Sequence, residues 1–308
     1  MLFFDEAAVR RLLPMTKAVE LLESAFSSLA KGEAANQPRR RLFTSSGTVL
    51  HSMAGVCGPY LGTKVYSTNP KHGAWFLFWL LDAATGRPLA LFEANALGQI
   101  RTGAASGAAT KLLANPNASS VGLIGSGFQA RAQLEATLAV RPITQVRIWS
   151  RNREKCEKFA KDFGTLVTVA SSASEAVGDA QIVITATNAK DPVFEASDIS
   201  VGTHINVMGS NHPARREIPS DLLARCSRIV ADSIEACRIE AGDLLLGLSD
   251  PEWSRVEDLA GAPPRNSPTE ITLFKSVGLG LEDVAVAGYI YECALASGSA
   301  PSIPVFSM

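Results

Sequence analysis

The chain has 308 residues, of which 46% are hydrophobic, 19% charged and 7% aromatic. This composition is that of an ordinary globular protein with enough length for two domains, and it excludes a fibrous or disordered chain. Since 29 Lys and Arg residues balance 30 Asp and Glu residues, net charge gives no reason to expect nucleic acid or an anionic membrane as a partner. The expected partner is a small molecule.

The cysteines and the apolar segments indicate a cytoplasmic protein. Five cysteines are widely spaced and form no CxxC pair, which favours reduced thiols over disulfides or a zinc site. The longest apolar run, residues 74–81, is far shorter than the roughly 20 residues of a membrane helix. The N-terminus lacks the basic and apolar regions of an export signal. The histidines show no metal-like spacing, so no metal is predicted.

The chain up to about residue 95 mixes helical and strand patterns. Apolar residues at helical spacing follow Thr16, which is predicted to cap a helix that ends near Gly32. Short segments rich in aromatic or β-branched residues come next, and they are predicted as strands at 49–53, 62–66, 75–81 and 89–92. The last two flank a turn-forming segment, 82–88. This part is therefore expected to be a helix packed on an antiparallel sheet.

Small residues dominate 103–110, which predicts a helix between Leu97 and Ala114 that packs closely against a neighbour. After the break at 115–120, buried strand patterns alternate with helical ones, and strands are predicted at 121–124, 145–149, 165–169, 181–187, 204–208 and 228–231. Helices are expected after Phe128 and over 153–163. A last strand starts at Ile271, and a helix follows over 281–296. Such alternation predicts a parallel sheet covered on both faces, and hence an α/β protein.

A glycine-rich turn directly follows the first strand of this alternating region. Gly125-Ser126-Gly127-Phe128-Gln129-Ala130 has the form G-x-G-x-x-A and opens a helix. Within one strand–turn–helix unit, the glycines allow a tight turn and close approach of a pyrophosphate, and the helix N-terminus offers free N–H groups. The motif predicts a Rossmann dinucleotide site, the alternative being an ordinary tight turn.

The residues at the end of the second strand of such a unit indicate whether the site prefers NAD or NADP. An NAD enzyme usually carries an acidic residue there for the ribose 2′-hydroxyl, whereas this chain has Ser150-Arg151-Asn152-Arg153. A hydroxyl and two guanidinium groups favour a 2′-phosphate, so NADP(H) is predicted over NAD(H). The alternative is that Arg151 and Arg153 are solvated residues at a helix start.

Seven motifs occur in an order and spacing that resemble the ornithine cyclodeaminase/μ-crystallin family over nearly the whole chain. They are residues 37–40, 62–64, 100–102, 125–130, 209–213, 231–233 and 274–278. The resemblance implies a Rossmann domain that binds NAD(P), expected here at 114–294, and a domain for substrate binding and homodimer formation, expected at 1–113 with 295–308. The family includes ornithine cyclodeaminases, alanine dehydrogenases and ketimine reductases.

The resemblance assigns substrate residues by motif. Arg101, with Thr102 beside it, matches a carboxylate-binding arginine, and its expected place at a helix start would add N–H groups for the same anion. Arg40 is the most similar match for a second arginine, although a solvated basic run over 39–41 is an alternative. Lys64 matches an active-site lysine, and burial there would lower its pKa into a range useful for proton donation. The alternative for Lys64 is a solvent-facing residue of an edge strand.

Asn211 departs from the family pattern, which has an aspartate in the corresponding loop. An amide cannot accept the proton that this aspartate is thought to take, but it can orient a substrate amine or imine. The departure favours reduction of an imine over reactions that need the base. The remaining residues assigned to the cofactor are Thr187, Asn188, Val207, Met208, Gly209 and Ser276.

These observations favour a homodimeric, NADP(H)-dependent oxidoreductase that acts on the C=N or C–N bond of a small imino or amino acid in a cleft between domains. Lys64 and Asn211 are the predicted catalytic residues, and Arg40, Arg101 and Thr102 the predicted substrate-binding residues. Two alternatives remain. One is an ornithine cyclodeaminase, which would use NAD without net change and release ammonia. The other is a non-catalytic, μ-crystallin-like NADP-binding protein.

Overall fold

The structure of the protein, a computed structural model, describes residues 1–298 and 301–304. Its helices are α1 (Glu6–Leu12), α2 (Met15–Ala30), α3 (Asn95–Leu113), α4 (Phe128–Val140), α5 (Arg153–Phe163), α6 (Ala173–Val177), α7 (Ser220–Arg225), α8 (Ile234–Glu240), α9 (Gly242–Leu245) and α10 (Gly280–Ser297). Its strands are β1 (Leu2–Phe4), β2 (Ala34–Phe43), β3 (Val49–Cys57), β4 (Tyr60–Asn69), β5 (Gly73–Asp82), β6 (Pro88–Glu93), β7 (Ser120–Ile124), β8 (Gln145–Trp149), β9 (Val167–Val169), β10 (Ile182–Thr185), β11 (His204–Val207), β12 (Arg228–Ala231), β13 (Val256–Asp258) and β14 (Thr272–Lys275).

The chain forms two compact units whose boundaries differ from the predicted ones. The first unit is Met1–Thr102 with Gly278–Met308, and the second unit is Gly103–Val277. The predicted boundaries, 1–113 with 295–308 and 114–294, had assigned most of α10 to the dinucleotide domain. Instead, α10 packs on β2, β3 and β4 and on α2. Its apolar side chains show that it buries a face, but its sequence does not say which sheet it covers.

The first unit is built on a sheet with strand order β1-β6-β5-β4-β3-β2. Neighbours from β2 to β6 are antiparallel, as predicted, and β1 adds to β6 in parallel. The inner face carries buried side chains such as Phe78 and Leu80, and α10 and α2 supply the helical layer. The helix predicted after Thr16 is α2, but Pro14 occupies its N-cap and Thr16 does not cap it.

The second unit has an entirely parallel sheet with strand order β13-β12-β14-β11-β10-β7-β8-β9. Its first strands in the chain follow the doubly wound order, since β8 and β9 lie on one side of β7 while β10 and β11 lie on the other. The strand order reverses beside β7, at the position where such sheets bind ligands. The predicted α/β class and the Rossmann-like sheet are confirmed.

The small residues of α3 allow close packing, as predicted. A Cβ on Gly103 would lie 2.4 Å from the carbonyl oxygen of Ala132 in α4, so a larger residue there would force the two helices apart. Within the described residues, no helix is long and apolar enough to cross a membrane.

Candidate active site

The glycine-rich turn of the second unit has the geometry that its motif predicts. Gly125 has a φ of +113°, and a Cβ there would approach the carbonyl oxygen of Ala186 to 2.4 Å. A side chain at this position would therefore be both strained and obstructed. By contrast, a Cβ on Gly127 would meet nothing within 4 Å, so the backbone there is open to a ligand. Ala130 is fully buried against the sheet.

The N-terminus of α4 suits a phosphate group. Gly127 is the N-cap and makes no side-chain cap, so the first N–H groups of the helix receive no hydrogen bond from a capping side chain. Ser126 and Ser150 lie side by side with their Oγ atoms 2.9 Å apart, and Phe128 is exposed. Gln129 is half-buried. An open helix start with adjacent hydroxyl groups fits the pyrophosphate of a dinucleotide.

The two arginines after β8 differ in their surroundings. The Arg151 guanidinium donates to Asn188 Oδ1 at 3.3 Å, which places it beside another residue assigned to the cofactor. Arg153 pairs with Glu157 one helical turn further along α5, with 68% of its side chain exposed. Arg151 therefore remains a candidate for selecting the cofactor, whereas Arg153 has the setting of a surface ion pair.

Glu217 joins two of the loops assigned to the cofactor, and sequence inspection did not find it. One oxygen of its buried carboxylate accepts from the N–H of Thr187 at 2.7 Å and from its hydroxyl at 2.8 Å. The other accepts from the N–H of Gly209 at 2.6 Å and from the Thr185 hydroxyl at 3.0 Å. Burial and the nearby Asp243 carboxylate raise the pKa of Glu217. This carboxylate fixes the chain after β10 against the chain after β11.

A buried ion pair supports the same loops. Lys275 Nζ donates to Asp243 Oδ2 at 2.8 Å and to the Ser210 carbonyl at 2.7 Å, and neither charged side chain is exposed. Asp243 Oδ1 accepts from the N–H of Glu217 at 2.6 Å. Burial opposes the charge on Lys275, but Asp243 and Glu217 outweigh it and raise the pKa. The lysine of the Phe274-Lys275-Ser276 motif is thus a buried support for the loops.

The remaining residues assigned to the cofactor are at or just beyond strand ends. Val207 is a core residue of β11, and Met208 is buried directly after it. Ser276 follows β14 and donates to Asp232 Oδ2 at 2.7 Å. Ser233, and not Asp232, caps α8, since the Ser233 hydroxyl accepts from the N–H of Ala236. Asp232 instead anchors the chain at Ser276 and Val277.

Arg101 lies on α3 in the first unit, but not at the helix start as predicted. It occupies the second turn, where the N–H groups are already used within the helix. Its Nη1 donates to Glu282 Oε2 at 2.6 Å and its Nε to Asp283 Oδ1 at 3.3 Å. Gly278 makes room for it, because a Cβ there would lie 2.5 Å from Nη1. Two carboxylates, rather than a helix terminus, orient this buried guanidinium.

Lys64 lies on the inner face of β4, so the alternative of a solvent-facing lysine is wrong. It is 3% exposed, and its Nζ donates to Asp283 Oδ1 at 3.2 Å. The amino group lies against Gly98 of α3, where a Cβ would be 2.6 Å from Nζ. Burial lowers the pKa of Lys64 to about 8, with Arg101 and Arg39 acting in the same direction and Asp283 opposing them. The expectation of a buried lysine with a lowered pKa agrees with this geometry.

The second arginine predicted for the substrate points the wrong way. Arg40 pairs with Ser52 of β3, which pairs with the exposed Val65 of β4, so Arg40 lies on the outer face of the sheet. Arg39 is buried and acts electrostatically on Lys64. The structure therefore favours Arg39 over Arg40 as the arginine near Lys64.

These residues form one group in the first unit, which we call the ion cluster: Arg39, Lys64, Arg101, Glu282 and Asp283. Sequence inspection had found Lys64 and Arg101 but not the two acids. The available signal was an acidic pair at the start of a helix that is otherwise mostly apolar. Thr102 follows Arg101 and is half-buried, while Asn211 is exposed in the second unit, in the loop after β11.

Comparison with known proteins identifies the family. A model of the ornithine cyclodeaminase/mu-crystallin family matches residues 2–298. The chain belongs to this family. A Delta(1)-pyrroline-2-carboxylate reductase of Bacillus cereus is 42% identical over 256 residues, which are 77% of this chain and 78% of the relative.

Two solved structures of family members are similar over almost their full length. Thermococcus litoralis Delta(1)-pyrroline-2-carboxylate reductase, in complex with NADH and L-proline, has a TM-score of 0.92 at 32% identity and covers 98% of this chain and 100% of its own. An archaeal alanine dehydrogenase dimer with bound NAD also has a TM-score of 0.92 at 32% identity, over 99% of each chain. The predicted class, a nicotinamide-dependent oxidoreductase of small imino or amino acids, is confirmed.

Proposed function

We propose that this enzyme reduces a cyclic imino acid of the Delta(1)-pyrroline-2-carboxylate type to the corresponding amino acid, with NADPH as the preferred reductant. The ion cluster carries the proposal, because it places two buried cations on one carboxylate, with Lys64 and Arg101 both bound to Asp283 Oδ1. The 42% identity to the Bacillus cereus reductase supports this substrate class.

The two cations suit the two polar ends of such a substrate. A guanidinium group binds a carboxylate through paired, charge-assisted hydrogen bonds, which is the role proposed for Arg101 with Arg39. Arg39, Lys64 and Arg101 bring three cations of the ion cluster close together, and a substrate carboxylate would interact favourably with them. Neutralising a buried charge in this way favours an anionic ligand.

Lys64 is proposed to supply the proton. With a pKa of about 8 it is still largely an ammonium group at neutral pH, yet it releases a proton far more readily than an ordinary lysine. When bound, the reduced nicotinamide supplies a hydride to the imine carbon. The proton from Lys64 completes the amine at nitrogen, and Lys64 then regains a proton from solvent. A role of Asn211 in orienting the substrate nitrogen stays a prediction.

One set of assays tests the function against its alternatives. The enzyme is incubated with Delta(1)-pyrroline-2-carboxylate and NADPH, and separately with ornithine and NAD, while cofactor absorbance and ammonia are followed. We expect NADPH oxidation with the imino acid and no ammonia from ornithine. Ammonia released without net cofactor change would instead indicate a cyclodeaminase. Tight NADPH binding without turnover of either substrate would indicate a binding protein.

The preference for NADP(H) is proposed on the strength of Ser150 and Arg151 at the end of β8. Titration by nucleotide fluorescence should give tighter binding of NADPH than of NADH, and Arg151→Asp should reverse the order because a carboxylate repels the 2′-phosphate. Arg153→Asp is the matched control, since Arg153 pairs with Glu157 on the surface of α5. Equal affinities for the two cofactors in the unaltered enzyme would contradict the preference.

We also propose that the enzyme is a homodimer that forms through the outer face of the first unit's sheet. This face carries the exposed apolar side chains of Leu42, Leu50, Val65, Trp75, Leu77 and Trp79. Exposed apolar area of this extent on adjacent strands is typical of a protein–protein interface. The related archaeal alanine dehydrogenase is a dimer.

We also propose a cytoplasmic location, which is supported by the free thiols of all five cysteines.

A further inference from the structure

The acidic residue at the centre of the ion cluster is Asp283. It lies in the first turn of α10 and has no exposed surface. Its Oδ1 accepts from Lys64 Nζ at 3.2 Å and from Arg101 Nε at 3.3 Å. The backbone of α10 fixes its place, because Gly280 packs so closely on β3 that a Cβ there would lie 2.7 Å from the Ala54 carbonyl oxygen.

The hydrogen bonding of Asp283 differs from that of a structural carboxylate. Asp243 and Glu217 in the second unit each use both oxygens, and several of their partners are backbone N–H groups. By contrast, Asp283 Oδ2 is buried and has no hydrogen-bond partner within the described part of the chain. Both contacts of Asp283 Oδ1 go to cations on which the proposed function depends. Burying a carboxylate that is only half satisfied costs stability, so its position calls for a reason in function.

The groups around Lys64 determine whether its amino group is charged. The neighbouring strands place Met53 and Phe78 beside it, and the Phe76 ring centroid lies 5.6 Å from Nζ. The charged groups around it are Arg39 from β2, Arg101 from α3, and Asp283 from α10, with Glu282 bound to Arg101. Burial and the two arginines disfavour the ammonium form. Asp283 opposes these effects, because its carboxylate forms an ion pair with Lys64.

We propose that Asp283 is a positioning residue that keeps Lys64 protonated and holds its ammonium group in place as the proton donor. The proposal rests on the function proposed above. In each turnover Lys64 loses one proton to the substrate nitrogen and regains one from solvent, while Asp283 stays an anion throughout. Without that charge, burial and the two arginines would favour the neutral amine, which cannot donate the proton.

The decisive variant is Asp283→Asn, which keeps the shape and an acceptor oxygen but removes the charge. Because an ammonium group must be present for reduction, kcat/KM for the imino acid falls as pH rises through the pKa of Lys64. Loss of a contacting opposite charge lowers that pKa, so we expect the alkaline limb to move to lower pH by about one pH unit or more. Asp283→Glu, which keeps the charge but displaces it, should lower kcat and leave the limb near its original pH.

Glu282→Gln is the matched control, since the ion pair of Glu282 is with Arg101, whereas Asp283 pairs with Lys64 as well. It should raise KM for the imino acid without moving the alkaline limb. The titration of NADPH measures an independent site on the second unit and should be unchanged in all three variants, which confirms that they are folded. If Asp283→Asn lowers activity equally at every pH and leaves the limb in place, Asp283 is only structural and the proposal is wrong.

A second readout does not depend on turnover. In protein labelled with ¹³C at the lysine Cε, the NMR signal of Lys64 is the one lost in Lys64→Met, and its shift gives the pKa directly. Asp283→Asn should lower that pKa, and an unchanged value would overturn the proposal. If the unaltered enzyme fails to reduce imino acids, the proposed function is wrong, whereas the NMR titration still decides whether Asp283 keeps Lys64 charged.

Discussion

The arginines of β2 show how one inserted residue determines which side chain reaches the interior. Gln37 pairs with Ala54 and Arg40 with Ser52, so three steps on β2 oppose two on β3. This bulge turns Arg39 inward and Arg40 outward. Without it, Arg39 would take the place opposite Ser52 and face out, since side chains alternate along a strand. Burial lowers the pKa of His51 on this inner face to about 4, and the positive charges of Arg41 and Arg39 act in the same direction.

We therefore expect Arg39→Gln to raise KM for the imino acid about 10- to 100-fold, the effect of losing a charge-assisted hydrogen bond of about 1.5–3 kcal/mol. Arg40→Gln, one residue away on the outer face, should change KM little. Steady-state kinetics at saturating NADPH measures both. The opposite result, a large effect at Arg40 and none at Arg39, would restore the assignment made from the motif.

His204 is a buried group that makes stability depend on pH. Its Nδ1 lies 3.0 Å from Thr272 Oγ1 and its Nε2 lies 3.2 Å from Asn206 Oδ1. Burial, with Arg265 and Arg141 acting in the same direction, lowers the pKa of His204 to about 3. The imidazole is thus neutral in the folded protein, although it takes up a proton near pH 6.5 when unfolded.

Because only the unfolded state gains this proton, folding stability should fall as pH drops from about 6.5 towards 3, by at most about 1.4 kcal/mol per pH unit. Urea unfolding at a series of pH values measures the slope. His204→Gln should be less stable at neutral pH, but its stability should fall less steeply on acidification. Parallel slopes for the two proteins would show that His204 contributes nothing to the acid sensitivity.

At the scale of elements, the parallel strands of the second unit end in loops that are held by buried acids. Glu217 connects the chain at Thr187 to the chain at Gly209, and Asp243 with Lys275 holds the segment that carries Glu217. The loops at Thr187 and Gly209 are therefore bound to one carboxylate, which fixes them against each other.

Glu217→Gln tests this assembly. A glutamine has one acceptor oxygen, so its NH₂ group would face either the donors at Thr187 or the donors at Gly209 and Thr185. The hydrogen bonds to one of the two loops would be lost, and we expect NADPH to bind at least tenfold more weakly. Differential scanning fluorimetry should show a lower melting temperature as well. Glu154→Gln, an exposed change in the first turn of α5, is the control and should alter neither. Unchanged NADPH affinity in Glu217→Gln would mean that Glu217 stabilises the fold only.

For the whole molecule, the outer sheet face of the first unit should determine the oligomeric state. Leu77 of β5 pairs with Val65 of β4 within that face, and both are exposed. A carboxylate buried in an apolar interface is strongly unfavourable, so Leu77→Asp should produce a monomer. Sedimentation velocity should give a mass near 32.6 kDa for this variant and about twice that for the unaltered enzyme.

Ile239→Asp is the control for this experiment, because Ile239 is equally apolar and half exposed but belongs to α8 of the second unit. The Ile239→Asp variant should remain a dimer. A monomeric unaltered enzyme, or a dimer that survives Leu77→Asp, would contradict the proposed interface.

The sequence by itself determined the elements whose signal is local. The alternation of buried-strand and helical patterns predicted α4, α5, β7 and β8 within a few residues, and the glycines at 125 and 127 predicted a turn that the backbone does adopt. The motifs also identified the family and, with it, Lys64 and Arg101. These features depend on neighbours in the chain, which is why they can be read from one sequence.

Only the tertiary structure decided which charges meet. Asp283 lies more than 200 residues from Lys64 in the chain, yet the packing of α10 on the first unit's sheet brings them into contact. The bulge that turns Arg39 inward arises from the pairing of β2 with β3, and Glu217 acts through backbone groups of strands that are adjacent only in the sheet. Electrostatic energy depends on distance in space and on burial, and neither quantity is a property of sequence separation.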